Sequence, residues 1–200
     1  MKKLSFVMVL LLAANFAFGQ LSFGPKIGFH TSSLNTDLEG IKTDLKQSFH
    51  FGAFVRLGRK IYVQPEVNWL TRGGVFEREA KAGIDPFEQE IDMKTMEIPV
   101  LLGYRVFNLG VANVRLMAGP SASIVANKSV KTTEGLELIK EADIKDLVWG
   151  FNLGGGVDVL MFTLDVRYQF GLNEIIETVD SFNFNSKSNI FAVSLGWKIL

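Results

Sequence analysis

Between Phe162 and Leu172 apolar and polar side chains alternate without a break. Phe162, Leu164, Val166, Tyr168, Phe170 and Leu172 share one face; Thr163, Asp165, Arg167, Gln169 and Gly171 share the other. A period of two is the mark of a β-strand whose faces meet different surroundings. Seven more segments carry the same pattern, at about 21–32, 48–57, 61–72, 92–106, 112–126, 147–159 and 189–200. In the last of them Phe191, Val193, Leu195, Trp197 and Ile199 oppose Ala192, Ser194, Gly196 and Lys198. Gly58-Arg59-Lys60 reads as a three-residue hairpin loop that pairs Leu57 with Ile61 and Val55 with Val63.

The connections sort by length. Those after the first, third, fifth and seventh strands, about 33–47, 73–90, 127–146 and 173–188, are long and polar; the others are a few residues each. One end therefore collects tight turns and both termini, and the other collects four large loops. An even number of antiparallel strands with this alternation is the arrangement of outer-membrane barrels. The expected fold is all-β, an eight-stranded antiparallel up-and-down transmembrane β-barrel.

The polar face decides which solvent the apolar face meets. It gathers Lys26, Arg56, Arg72, Arg105, Arg115, Arg167 and Lys198 with Glu66, Glu97, Asp158 and Asp165, and with Gln64, Asn68, Asn113, Asn152 and Gln169. The core of a soluble ligand-binding barrel of the lipocalin kind is mostly apolar, and so many unpaired charges would be prohibitive there. In a lipid-wrapped barrel of eight strands the interior is only wide enough for side chains, so these groups pair with one another. The expected structural network of the lumen is Glu66, Glu97, Arg105, Arg115, Asp158, Asp165 and Arg167. Trp69, Trp149, Tyr168 and Trp197 fall on the lipid face, where those near strand ends suit an interfacial girdle.

Some residues resist this pattern. Phe54, Leu70, Leu101 and Met117 fall on the lumen side by parity, and Pro65, Pro99 and Pro120 lie inside strands. Proline donates no ladder hydrogen bond, so a β-bulge near Pro99 or Pro120 is expected to absorb both irregularities.

Composition narrows the compartment. Residues 1–19 carry Lys2 and Lys3, an apolar run from Leu4 to about Ala14, then Ala17 and Gly19, the plan of a secretory signal peptide. The barrel domain is then 20–200, with both termini expected on the periplasmic side of the outer membrane. There is no cysteine for a lipid anchor, a disulfide or a thiolate metal site. Without Lys2 and Lys3 the 21 bases fall to 19 against 21 acids, a balance that does not suit nucleic acid. The chain has 17 phenylalanines and 19 glycines, and no run after residue 20 approaches the about 20 apolar residues of a membrane helix.

Candidate chemistry adds little. His30 and His50 face the lumen on neighbouring strands, and no cluster with metal-ligand spacing accompanies them. His50 lies near the outer end of its expected strand, where a rim role is geometrically possible, but no catalytic partner stands out. Gly154-Gly155-Gly156 runs on into strand rather than into a helix, so it is not a phosphate loop. Its expected use is to make room for large neighbours. No catalytic residue, cofactor or metal is assigned.

Several segments resemble a known family. GPKIGF at 24–29, YVQPEVNW at 62–69 followed by Gly73-Gly74, MEIPVLLGY at 96–104, AGPSASI at 118–124 and GFNLGGGVDV with LDVRYQFGLNEI within 150–175 are similar to the PorT-type outer-membrane β-barrel family. The terminal SLGWKIL resembles the C-terminal strand signal read by the barrel-insertion machinery, although it ends in Leu200 where an aromatic is usual. The resemblance implies an outer-membrane protein whose partners are lipids, that machinery, and envelope or secretion proteins. Three roles remain open: a non-enzymatic envelope, adhesion or assembly barrel; an accessory of a protein-secretion apparatus, as the resemblance implies for one member; or, apart from the resemblance, a soluble lipocalin-like ligand binder.

Overall fold

The alternating segments form eight strands that close on themselves. In a computed structural model, which describes residues 21–36, 42–78, 87–134, 144–173, 175 and 186–199, the strands are β1 (Leu21–Thr36), β2 (Lys42–Gly58), β3 (Ile61–Arg78), β4 (Phe87–Asn108), β5 (Ala112–Glu134), β6 (Leu147–Val159), β7 (Phe162–Gly171) and β8 (Ser186–Trp197). Each pairs antiparallel with its sequence neighbour, and β1 pairs with β8 from Lys26↔Gly196 to Thr36↔Ser186. The chain is an eight-stranded antiparallel up-and-down transmembrane β-barrel. Residues 1–19, Leu200 and parts of the expected loops lie outside the described residues.

Burial follows parity along every strand. In β7 Thr163, Asp165, Arg167 and Gln169 are buried, while Phe162, Leu164, Val166, Tyr168 and Phe170 are exposed. A soluble barrel inverts this order; here the apolar set faces outward around the whole circumference, which requires lipid on that side. The belt is aromatic at several points. Phe51 stacks on Trp69 with ring centroids 5.5 Å apart, and Phe29 meets Phe49 edge-on at 5.4 Å. Trp149 and Trp197 lie near opposite ends of their strands.

Five of the strands run well past the membrane. A tilted strand crosses it in about 9–11 residues, yet β1 to β5 contain 16, 17, 18, 22 and 23 described residues, against 13, 10 and 12 in β6 to β8. Much of what the sequence presents as long loop is thus strand continued past the belt. The alternation there uses polar and small residues on both sides, which hides its period. One wall of the barrel stands taller than the other, and β5 continues beyond its last rung with β6, Ile124↔Leu147.

Two further expectations are corrected. The β2–β3 hairpin closes at Gly58↔Tyr62 and pairs Leu57 with Val63, not with Ile61. Gly58 takes φ of 123°, a conformation open to glycine, and so carries the turn itself. No bulge occurs at Pro99 or Pro120: Pro99↔Ser121 and Leu102↔Ala118 keep one register, and Pro120↔Phe151 sits in an unbroken β5–β6 ladder. Each proline instead leaves a local gap. The β2–β3 ladder passes from Phe54↔Glu66 to Leu57↔Val63, the β3–β4 ladder from Pro65↔Val100 to Asn68↔Glu97, and the β4–β5 ladder from Pro99↔Ser121 to Leu102↔Ala118. A missing N–H therefore removes rungs without moving the strand, because the rungs on both sides hold the register. The β4–β5 irregularities lie away from the prolines, between Glu88 and Gln89, between Lys94 and Thr95, and between Arg105 and Phe107.

Candidate functional site: the lumen

Parity delivers the charges to one interior, and there they sort into three linked groups. At mid-height Glu66 is the hub. Its Oε2 accepts from Lys26 Nζ at 2.7 Å, Arg167 Nη1 at 2.8 Å and Asn68 Nδ2 at 3.1 Å, and its Oε1 accepts from Gln64 Nε2 at 2.6 Å. Towards the tight turns Asp158 accepts from Arg56 Nη1 at 2.8 Å and from Arg115 Nε at 3.0 Å. Arg115 also reaches Asp165 and Thr163. Arg56 Nε donates to Gln64 Oε1 at 2.7 Å, which ties this group to the Glu66 hub.

Towards the opposite end Glu97 accepts from Gln169 Nε2 at 2.8 Å and lies 3.9 Å from Arg72. Arg72 donates to Ser123 Oγ at 2.6 Å and Gln169 Oε1 at 3.1 Å. The structure thus brings Glu66 to Arg167, and Arg115 to Asp158 and Asp165, while Glu97 joins Arg72 and Gln169. Arg105 has no carboxylate within ion-pair range among the described residues; its guanidinium sits 5.7 Å from the Tyr62 ring.

Sequence reading missed Tyr62. Its ring also lies 5.0 Å from the Arg56 guanidinium, and its hydroxyl accepts from Arg115 Nη1 at 3.4 Å. An aromatic face among three arginines supplies attraction to cations where carboxylates are few. The parity of Tyr62 with Gln64 and Glu66 was the available signal. Phe54, Leu70, Leu101 and Met117 are buried in the lumen as their parity requires, filling space between the polar groups. Glycines make the remaining room: a Cβ on Gly156 would run into Asp165 and Arg115, and one on Gly103 into the Tyr62 ring.

His50 is a mid-strand lumen residue rather than a rim residue, because β2 runs on to Lys42. Its Nδ1 lies 3.3 Å from His30 Nδ1 and its Nε2 lies 2.8 Å from Ser194 Oγ; His30 Nε2 lies 2.8 Å from the Thr71 carbonyl oxygen. The cavity beside the pair is about 20 Å³, space for a single water. Among the described residues no three His, Cys, Asp or Glu side chains gather as metal ligands.

A sequence-family model described as the outer membrane protein beta-barrel domain matches residues 13–177. The chain belongs to the outer membrane protein beta-barrel domain family. It is an outer-membrane β-barrel. No curated protein matches the sequence significantly. Among solved structures the barrel is similar to the attachment invasion locus protein Ail of Yersinia pestis, in complex with the heparin analogue sucrose octasulfate. That match has 10% identity over 90% of this chain and 99% of that one, with a TM-score of 0.49. It is also similar to Neisserial surface protein A, with 11% identity, 88% and 97% coverage and a TM-score of 0.47. A third match is the translocator domain of the autotransporter NalP from Neisseria meningitidis, with 10% identity, 89% and 88% coverage and a TM-score of 0.34.

The PorT-type resemblance is corrected by these findings. The model that matches is the general outer-membrane barrel domain, and it ends at residue 177, before the terminal SLGWKIL. Segments such as GPKIGF and LDVRYQFG lie within strands β1 and β7, where an outward apolar and inward polar alternation is common to small barrels of many kinds.

Proposed function

We propose that this member of the outer membrane protein beta-barrel domain family is a surface-contact protein of the cell envelope, with a lumen closed to solutes and its working surface on the tall wall. The observation that carries this reading is the unequal height of the barrel. Strands β1 to β5 rise past the apolar belt as paired sheet, a rigid platform that a protein needing only to span the membrane does not require. The interior supports closure, since Arg56, Tyr62, Arg72, Leu101 and Arg115 are all fully buried. Pairing within the charged network, with Glu66, Glu97, Arg115, Asp158, Asp165 and Arg167 as its main members, is the structural role we assign to it.

In this reading residues 1–19 are a signal peptide, the tight turns and both termini face the periplasm, and the tall wall faces the exterior. The terminal strand engages the insertion machinery. The test compares cells displaying the full protein with cells displaying a variant whose β1–β5 walls are shortened to the level of Ile124 and Leu147. The variant is expected to keep its barrel and lose adhesion to host-matrix or cell surfaces. Equal adhesion by both, or by cells lacking the protein, contradicts the proposal.

A further inference from the structure

The charge of the lumen does not balance, and the excess sits at one end. Near the tight turns Arg56, Arg105, Arg115 and Lys198 face inward, and among the described residues only Asp158 and Asp165 oppose them. Arg59 and Lys60 add two more cations on the β2–β3 turn. Asp158 already serves Arg56 and Arg115, with Lys198 3.8 Å away, and Asp165 serves Arg115. Arg105 is left over. Its Nε is buried without an acceptor, as is Arg56 Nη2. Arg105 is half-buried, and an N–H closed off from water without an acceptor is costly, so a negative group from outside the chain is the natural complement.

The space for that group is present. An open pocket of about 620 Å³ lies at the turn end, lined by Arg59 and Lys60 of the β2–β3 turn, by Leu21 and Ser22 of β1 and by Arg105 and Val106 of β4. Lys60 and Arg105 are held together by the bond from Arg105 N to the Lys60 carbonyl oxygen, 2.8 Å. Leu21 and Val106 continue the apolar belt on either side of the turn, so cationic and apolar groups line the pocket together. A small soluble anion uses only the cations; an amphiphile uses both.

The depth of the pocket agrees. The neighbouring tight turns are apolar rather than hydrophilic: Leu109, Val111, Leu160 and Met161 are all exposed. Leu160 keeps a positive φ of 51°, where glycine or asparagine is the usual occupant, and is 67% exposed. An exposed leucine in a strained turn has a use if the turn reaches acyl chains. The lipid boundary then runs level with the turns, and the pocket lies at headgroup depth.

We propose that this pocket is a headgroup site for a glycerophospholipid, with Arg105, Lys60 and Arg59 holding the phosphodiester and Leu21 and Val106 lying along the acyl chains. The inference rests on the transmembrane reading, and not on which leaflet lies at the turn end.

The test uses the full-length protein in detergent and native mass spectrometry. The probes are short-chain phosphatidylglycerol, the matching diacylglycerol without phosphate, and inorganic phosphate. Phosphatidylglycerol is expected to be retained at one molecule per barrel, diacylglycerol is not, and inorganic phosphate at equal concentration does not displace the lipid. Arg105→Gln is expected to weaken retention about tenfold, as does the surface double variant Arg59→Gln/Lys60→Gln, which leaves Arg105 in place. Equal retention of diacylglycerol, or unchanged retention by both variants, overturns the site. Displacement by inorganic phosphate overturns the lipid assignment. Each variant is first checked for a shift in gel mobility on boiling, so that loss of the barrel is read separately from loss of the ligand.

Discussion

Glu66 is the residue on which the interior depends most directly. Four donors converge on its two oxygens, and two of them, Lys26 and Arg167, are charged and buried. Glu66→Gln turns one acceptor oxygen into a donor among donors and leaves both cations without their carboxylate. Destabilisation of about 3–5 kcal/mol is expected, the range for breaking a buried pair from one side. Urea unfolding in lipid vesicles measures it. Glu97→Gln is the contrasting case, because Arg72 is 3.9 Å away and keeps Ser123 and Gln169 as acceptors. A loss of about 1 kcal/mol is expected there. Equal effects of the two substitutions would show that the Glu66 hub has no special weight. At this scale the sequence was legible as far as parity reaches. It named which side chains point inward but not which meet, because partnership depends on strand stagger. Arg105 and Arg115 show the limit: they face each other across β4 and β5, and only one finds carboxylates among the described residues.

Strand centres were readable from alternation, and strand ends were not. The β6 bounds expected from sequence match the observed ones because lipid and lumen impose opposite polarity along its whole length. Beyond the belt that contrast vanishes, and residues such as 127–132 of β5 pair as strand with β4 while reading as polar loop. The prolines teach a related lesson. Pro120→Ala is expected to restore a donor to the interrupted β4–β5 ladder without shifting it, and to stabilise the barrel by up to about 1 kcal/mol. Amide hydrogen exchange at Val100 and Leu101, compared between the protein and the variant, checks this; slower exchange in the variant supports it. The Leu160 turn behaves differently. Leu160→Gly relieves the positive φ, and in detergent the hairpin is expected to gain about 1 kcal/mol. In bilayers the gain should shrink, because the leucine side chain no longer contacts lipid. An identical gain in both media would remove the turn from the membrane.

The whole molecule joins an apolar exterior to a charged interior, and that inversion explains why the fold was visible in the sequence while the role was not. Closure into a barrel needs only the alternation and the loop rhythm. A contact partner would be written in the tall wall and its loops, where no periodic constraint acts. If the lumen is closed by its side chains, purified protein in a planar bilayer is expected to give no conductance steps, and reproducible steps would contradict closure. Mass spectrometry of the protein recovered from outer membranes is expected to find Gln20 at its N-terminus. An intact Met1 would contradict removal of the leader. The most direct test of the lipid-facing barrel itself is recovery in the outer-membrane fraction combined with gel mobility before and after boiling. The account predicts membrane recovery and a band that shifts when boiled, as a resistant barrel unfolds only with heat. Recovery as a soluble periplasmic protein with one mobility would contradict it and reverse the assignment of inside and outside.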